Sequence, residues 1–105
     1  DYLQMDIHPA EDTLLALKNI PLDRYRFSVI TYEHNGYQNK QNQIESQRIL
    51  KQYGYKLVVE GLMLNDGVWY EDWWVDPLAV DYESYKEFIA EYITHHELFN
   101  GANIK

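Results

Sequence analysis

Four side chains capable of acid–base chemistry fall at the ends of two apolar runs. Asp6 and His8 close the run Tyr2-Leu3-Gln4-Met5-Asp6-Ile7-His8, and Glu33 and His34 close Phe27-Ser28-Val29-Ile30-Thr31-Tyr32-Glu33-His34. Side chains two positions apart on a strand share a face, as Asp6 and His8 would, whereas the neighbours Glu33 and His34 point to opposite faces. If the two tips converge, their carboxylates and imidazoles can hold a divalent metal that orients a hydroxyl substrate. Alternatively His8 or His34 can accept the proton of that hydroxyl, a task suited to a group that titrates near neutral pH. Glu11 can join such a site or can simply serve a helix dipole. Tyr32 and Tyr37 flank it and can line a substrate pocket, or can belong to ordinary packing. The plainer alternative for the cluster is structural. Asp6 would accept backbone N–H bonds from the following loop, His8 would cap a helix, and Glu33 and His34 would be solvated.

Convergence requires a particular arrangement of elements. Residues 2 to 8 read as a short buried strand. Pro9 suits a first helical position, Glu11 and Asp12 fall in a first turn, and Ala10, Leu14 and Leu17 form an apolar stripe that Pro21 terminates. Residues 26 to 34 read as a second strand, ended by Asn35-Gly36. A β-α-β unit of this kind is right-handed and parallel, so both polar tips would lie on the carboxyl edge, where open α/β sheets bind ligands.

Residues 38 to 43 read as a polar loop, with Asn42 as the N-cap of a helix in which Glu45 completes a capping box. Ile49, Leu50 and Tyr53 form its apolar stripe, and Gly54 stands at C′. Residues 55 to 62 and 68 to 75 read as an antiparallel hairpin around Leu64-Asn65-Asp66-Gly67. Asp81 is placed to cap a last amphipathic helix carrying Tyr85, Phe88, Ile89, Tyr92 and Ile93, which Asn100-Gly101 ends. The expected order is β-α-β-α-β-β-α. The first three strands would form a parallel sheet, and the hairpin would add an antiparallel edge. Trp69 and Trp73 share one face of the last strand and Trp74 takes the other, as packing surfaces or as a stacking platform. His95-His96 suits a helix C-terminus better than a metal site, because adjacent helical positions diverge.

Composition narrows the functional classes. The chain has 105 residues, enough for one small domain, and its 46% hydrophobic content excludes a disordered chain. A formal net charge of −8 opposes nonspecific binding to nucleic acid or to an anionic membrane. With no cysteine there is neither a disulfide framework nor a thiolate site, a composition that fits a cytoplasmic protein. No run approaches the length of a membrane span, and no signal peptide is visible.

Several segments resemble, in order, the FkbM-type methyltransferases. Asp1-Tyr2-Leu3-Gln4-Met5-Asp6 followed by Pro9-Ala10-Glu11 resembles the family's middle motif, and Tyr25 to His34 its next strand. Gln52-Tyr53-Gly54-Tyr55-Lys56-Leu57-Val58 is similar to its helix-to-strand step, and Tyr70-Glu71-Asp72-Trp73-Trp74-Val75-Asp76-Pro77 to its acidic-aromatic segment. The chain departs from the family at Asp6-Ile7-His8-Pro9, where many members carry Asp-x-Glu-Gly. The resemblance implies a partial Rossmann-like methyltransferase fold over a single domain, 1–105, with a mixed sheet and an antiparallel C-terminal hairpin. It also implies S-adenosylmethionine-dependent O-methyl transfer to a sugar or other small-molecule hydroxyl by a longer parent protein. The glycine-rich cofactor loop would precede Asp1, because the five glycines here are all isolated. Such a fragment is expected to be inactive alone and to expose a sheet edge that favours a homodimer. The competing expectation is a non-enzymatic acidic α/β module that binds or self-associates through its aromatic surface. A metal-dependent hydrolase has less support, since no spacing such as His-Glu-x-x-His occurs.

Overall fold

The computed structural model describes residues 2–7, 9–63, 69–81, 83, 86 and 103–104. Its elements run β1 (Tyr2–Met5), α1 (Ala10–Asn19), β2 (Val29–Glu33), α2 (Lys40–Gln52), β3 (Lys56–Met63), β4 (Trp69–Val75) and β5 (Asn103–Ile104). They form an α/β structure around one mixed sheet of order β1-β2-β4-β3-β5.

β1 and β2 pair in parallel, with Met5 opposite Tyr32, as the β-α-β reading requires. The rest of the sheet departs from expectation. β3 runs in the same sense as β2 but does not touch it in the ladder. β4 lies between them, antiparallel to both, with Ile30 opposite Trp74 and Leu57 opposite Trp74 on its other side. The expected three-stranded parallel sheet with the hairpin at its edge is therefore corrected. A hairpin offers two edges for docking, and the period of two in its side chains does not say which one meets β2. Burial accounts for the outcome: Asp72, Trp74 and Val75 are nearly inaccessible, so β4 occupies the centre.

α1 and α2 touch each other and cover one face of the sheet. Leu17, Ile49 and Leu50 from the helices meet Met5, Ile30, Tyr32, Leu57 and Trp74 from the strands in one apolar cluster. Thr13, wholly buried, donates from Oγ1 to the Ile7 carbonyl at 2.6 Å and pins α1 to the chain leaving β1. The opposite face carries Val58, Val59, Leu62 and Val75, with Val29, Trp73 and Val80 against them.

Helix limits differ in detail from the sequence reading. Pro9 is the N-cap of α1, one residue before the expected position, with φ of −73° and extended ψ. Asn39, not Asn42, caps α2. Its side chain accepts from the Gln41 N–H at 3.0 Å, so the polar stretch read as a loop forms the first helical turn. Asn42, Gln43 and Ser46 are buried, which hides the amphipathic pattern on that side of the helix. Gly54 follows α2 with φ of +83°, as a C′ glycine should. Gly61 interrupts β3 at φ +67°, where the ladder with β4 slips register. The turn at 64–68 and nearly all of the expected last helix, including Tyr85, Phe88, Ile89, Tyr92, Ile93 and His95-His96, lie outside the described residues. Within that stretch the Asp81 side chain accepts from the Glu83 N–H at 3.3 Å, as a capping residue does. The two-residue strand β5, paired antiparallel with β3 at Val59 and Glu60, had no expectation at all.

Candidate functional site

Because β1 and β2 are parallel and in register, Asp6 and Glu33 leave the sheet side by side at its carboxyl edge. β4 runs the opposite way, so its beginning reaches the same edge, and Glu71 stands opposite Glu33 in the ladder. The alternation of strand side chains puts Asp6, Glu33 and Glu71 on one face, across three neighbouring strands. Gln4, on the same face, donates to Asp6 Oδ2 at 3.1 Å. Trp73 donates from Nε1 to Glu71 Oε2 at 2.6 Å.

Glu71 has an altered proton affinity. Burial pushes its carboxyl above the usual value, the Trp73 hydrogen bond opposes that rise, Glu33 and Asp6 reinforce it, and His34 opposes it. A carboxyl displaced upward in this way is closer to the working range of a general acid or base.

His34 and Asp72 lie on the other, helix-covered face. His34 Nε2 is 3.1 Å from Asp72 Oδ1, and neither side chain has any exposed surface. The contact is too bent for a full hydrogen bond from Nε2. On the far side of the ring, Nδ1 accepts the Gly36 N–H at 2.8 Å. Asp72 is held in turn by the Gly61 N–H at 2.8 Å and by Gln47 Nε2 at 3.0 Å, and the same Gln47 amide reaches Glu60 at 2.9 Å. This one carboxylate therefore links α2, β3 and the end of β2.

The sequence-derived candidates thus fall into separate groups. Asp6 and Glu33 share the edge. His34 follows on the chain but is turned into the interior, with Nδ1 bonded to the Gly36 N–H and Nε2 against Asp72, so it does not face the edge as a base for a bound hydroxyl. Tyr32 is likewise wholly buried, and its phenol is raised by burial and by the Asp72 charge. It packs in the core and lines no open pocket. Tyr37 is 42% exposed on the loop after β2. Glu11 is exposed in the first turn of α1, where the dipole favours it. His8 lies outside the described residues. Glu71 and Asp72 were absent from the sequence-derived site. Their signal was an acidic pair at the start of a strand pattern, which becomes meaningful only once β4 is known to lie beside β2.

Among the described residues, no three His, Asp or Glu side chains gather as a metal site. No described helix is long and apolar enough to cross a membrane. What the fold and site define is an α/β chain with a mixed sheet and an acidic carboxyl edge. The chain matches no family model, no curated protein and no solved structure.

Proposed function

We propose that this chain forms the distal, substrate-facing part of an S-adenosylmethionine-dependent O-methyltransferase acting on a hydroxyl of a sugar or another small metabolite. The observation that carries the reading is the parallel β1–β2 pair, which sets Asp6 and Glu33 abreast at the edge where open α/β sheets take ligands. The order of the FkbM-like segments and the antiparallel hairpin after the second helix support it. In this reading Asp6 and Glu33 accept hydrogen bonds from the substrate hydroxyls, and Glu71 is the carboxyl best poised to receive a proton. The cysteine-free composition supports a cytoplasmic setting.

The described residues do not fit the cofactor itself. Gly54 closes α2 and Gly61 forms the kink in β3, and neither belongs to a glycine-rich turn between a strand and a helix. No step is therefore assigned through S-adenosylmethionine here. Calorimetric titration of S-adenosylmethionine into this chain, with and without Mg2+, is expected to give no binding heat. Binding would place the cofactor cradle within these residues. For the reaction, transfer of labelled methyl groups to a panel of sugars by the longest natural form of the protein is the test. Glu33→Gln and Glu71→Gln are expected to lower the rate, by roughly 100-fold for whichever acts as the base. An intact natural form that methylates no hydroxyl compound overturns the reading.

A second reading rests on the outer edge of β1. Among the described strands β1 pairs only with β2, its four residues carry no charge or proline to block further pairing, and Tyr2 is 59% exposed. These features support a self-associating module, with a homodimer as its simplest form. Sedimentation that stays monomeric as concentration rises would remove this reading.

A further inference from the structure

We propose that His34 is a proton-operated latch on the loop that joins β2 to α2. The inference goes beyond the methyltransferase reading and does not depend on it. The loop leaves the buried ring at Asn35, which adopts φ +49°, and turns through a bond from the Gln38 N–H to the Asn35 carbonyl at 2.9 Å. It ends at Asn39, the N-cap of α2. Tyr37, exposed near the acidic edge, is its one aromatic side chain.

The ring's partners assign its protonation state. A backbone N–H donates to Nδ1, so Nδ1 carries the lone pair. Nε2 faces the Asp72 carboxylate, so the single ring proton belongs there. The loop is thus tethered through the lone pair that an added proton would occupy. Protonation turns the Gly36 contact into N–H against N–H, while the new positive charge stays beside Asp72. The ring keeps its place and the loop loses its hold.

The charged and titratable groups around the ring come from several elements. Asp72 of β4 faces Nε2, Glu71 of β4 feels the ring's charge, Gln47 of α2 ties Asp72 to Glu60 of β3, and Glu33, the preceding residue of the chain, points to the opposite face.

Nuclear magnetic resonance on the whole chain tests this. The His34 ring nitrogens and the exchange of the Gly36 and Gly61 amides are followed from about pH 8 to about pH 5. The expected result is an Nε2–H tautomer at the high end. As the ring gains its proton, Gly36 exchange, corrected for the intrinsic pH dependence, accelerates by about tenfold or more while Gly61 stays protected. In His34→Gln, which cannot gain the proton, corrected Gly36 exchange should be flat with pH. The proposal is overturned if His34 stays neutral until the chain unfolds, if it protonates with Gly36 unchanged, or if Gly36 and Gly61 lose protection together. Should His34→Gln fail to fold, the wild-type comparison of the two glycines still decides.

Discussion

Glu33 and Glu71 stand opposite one another in the β2–β4 ladder, two carboxylates at a position where like charges repel. Burial, with Glu33 and Asp6 adding to it against Trp73 and His34, leaves Glu71 above its ordinary value of 4.5. A carboxyl raised in the folded state binds more protons folded than unfolded. Its contribution therefore favours folding below the unfolded value and is lost as pH rises through the folded one. Glu71→Gln should then gain stability relative to wild type as pH rises from 4.5 toward neutrality, which urea midpoints at several pH values will show. A difference between the two proteins that is constant with pH would contradict this.

Asp72 accepts from Gly61 and Gln47 and faces His34 with no exposed surface. Asp72→Ala leaves these groups buried without their acceptor and should cost about 3–5 kcal/mol in denaturant unfolding. Asp72→Asn, which keeps one oxygen, should cost less. A loss below about 0.5 kcal/mol for the alanine variant would mean the network adds nothing to stability.

Asn39 and Asn42 are three residues apart in the same polar run, and only Asn39 caps α2. Asn39→Ala should destabilise the protein by about 0.5–2 kcal/mol. A loss of helical circular dichroism confined to melting of α2 would be its signature, and an unaltered unfolding midpoint would refute the assignment.

Trp74 and Leu78 are both large apolar residues near the end of the hairpin, yet Trp74 has no exposed surface and Leu78 is 95% exposed. Trp74→Ala should cost about 3–5 kcal/mol. Leu78→Ala should stay within about 0.5 kcal/mol of wild type. Thermal or denaturant melts compare the two directly.

The strands and helices were legible where a period was strong. Val29 to Glu33 and Lys56 to Val59 carry dense β-branched and apolar content, and Gly54 marks the end of α2 by the one conformation it adopts easily. The start of α2 was not legible, because Asn42, Gln43 and Ser46 are buried polar residues and a polar run ordinarily signals solvent. Asp6 and Glu33 could be placed on one edge from the β-α-β rule alone. Their third neighbour could not, because Glu71 arrives only through the choice of which hairpin edge docks on β2. His34 was read as a surface group for a related reason. Its partner Asp72 lies thirty-eight positions away in sequence, and only the inserted strand brings it within 3.1 Å.

The central place of β4 also sets an order of events for a chain emerging from the ribosome. β2 and β3 have no ladder contact with each other, so β3 joins the β1–β2 pair only through a strand made after both. Until Trp69 to Val75 has emerged, β3 has α2 to pack against but no strand to pair with, and only the local β1–β2 ladder can close. Assembly of the sheet must then join strands distant in sequence, a topology that slows folding and leaves sticky intermediates in the meantime. A ribosome stalled before residue 69 should hold a chain that chaperones recognise, and one stalled well beyond residue 75 should release them.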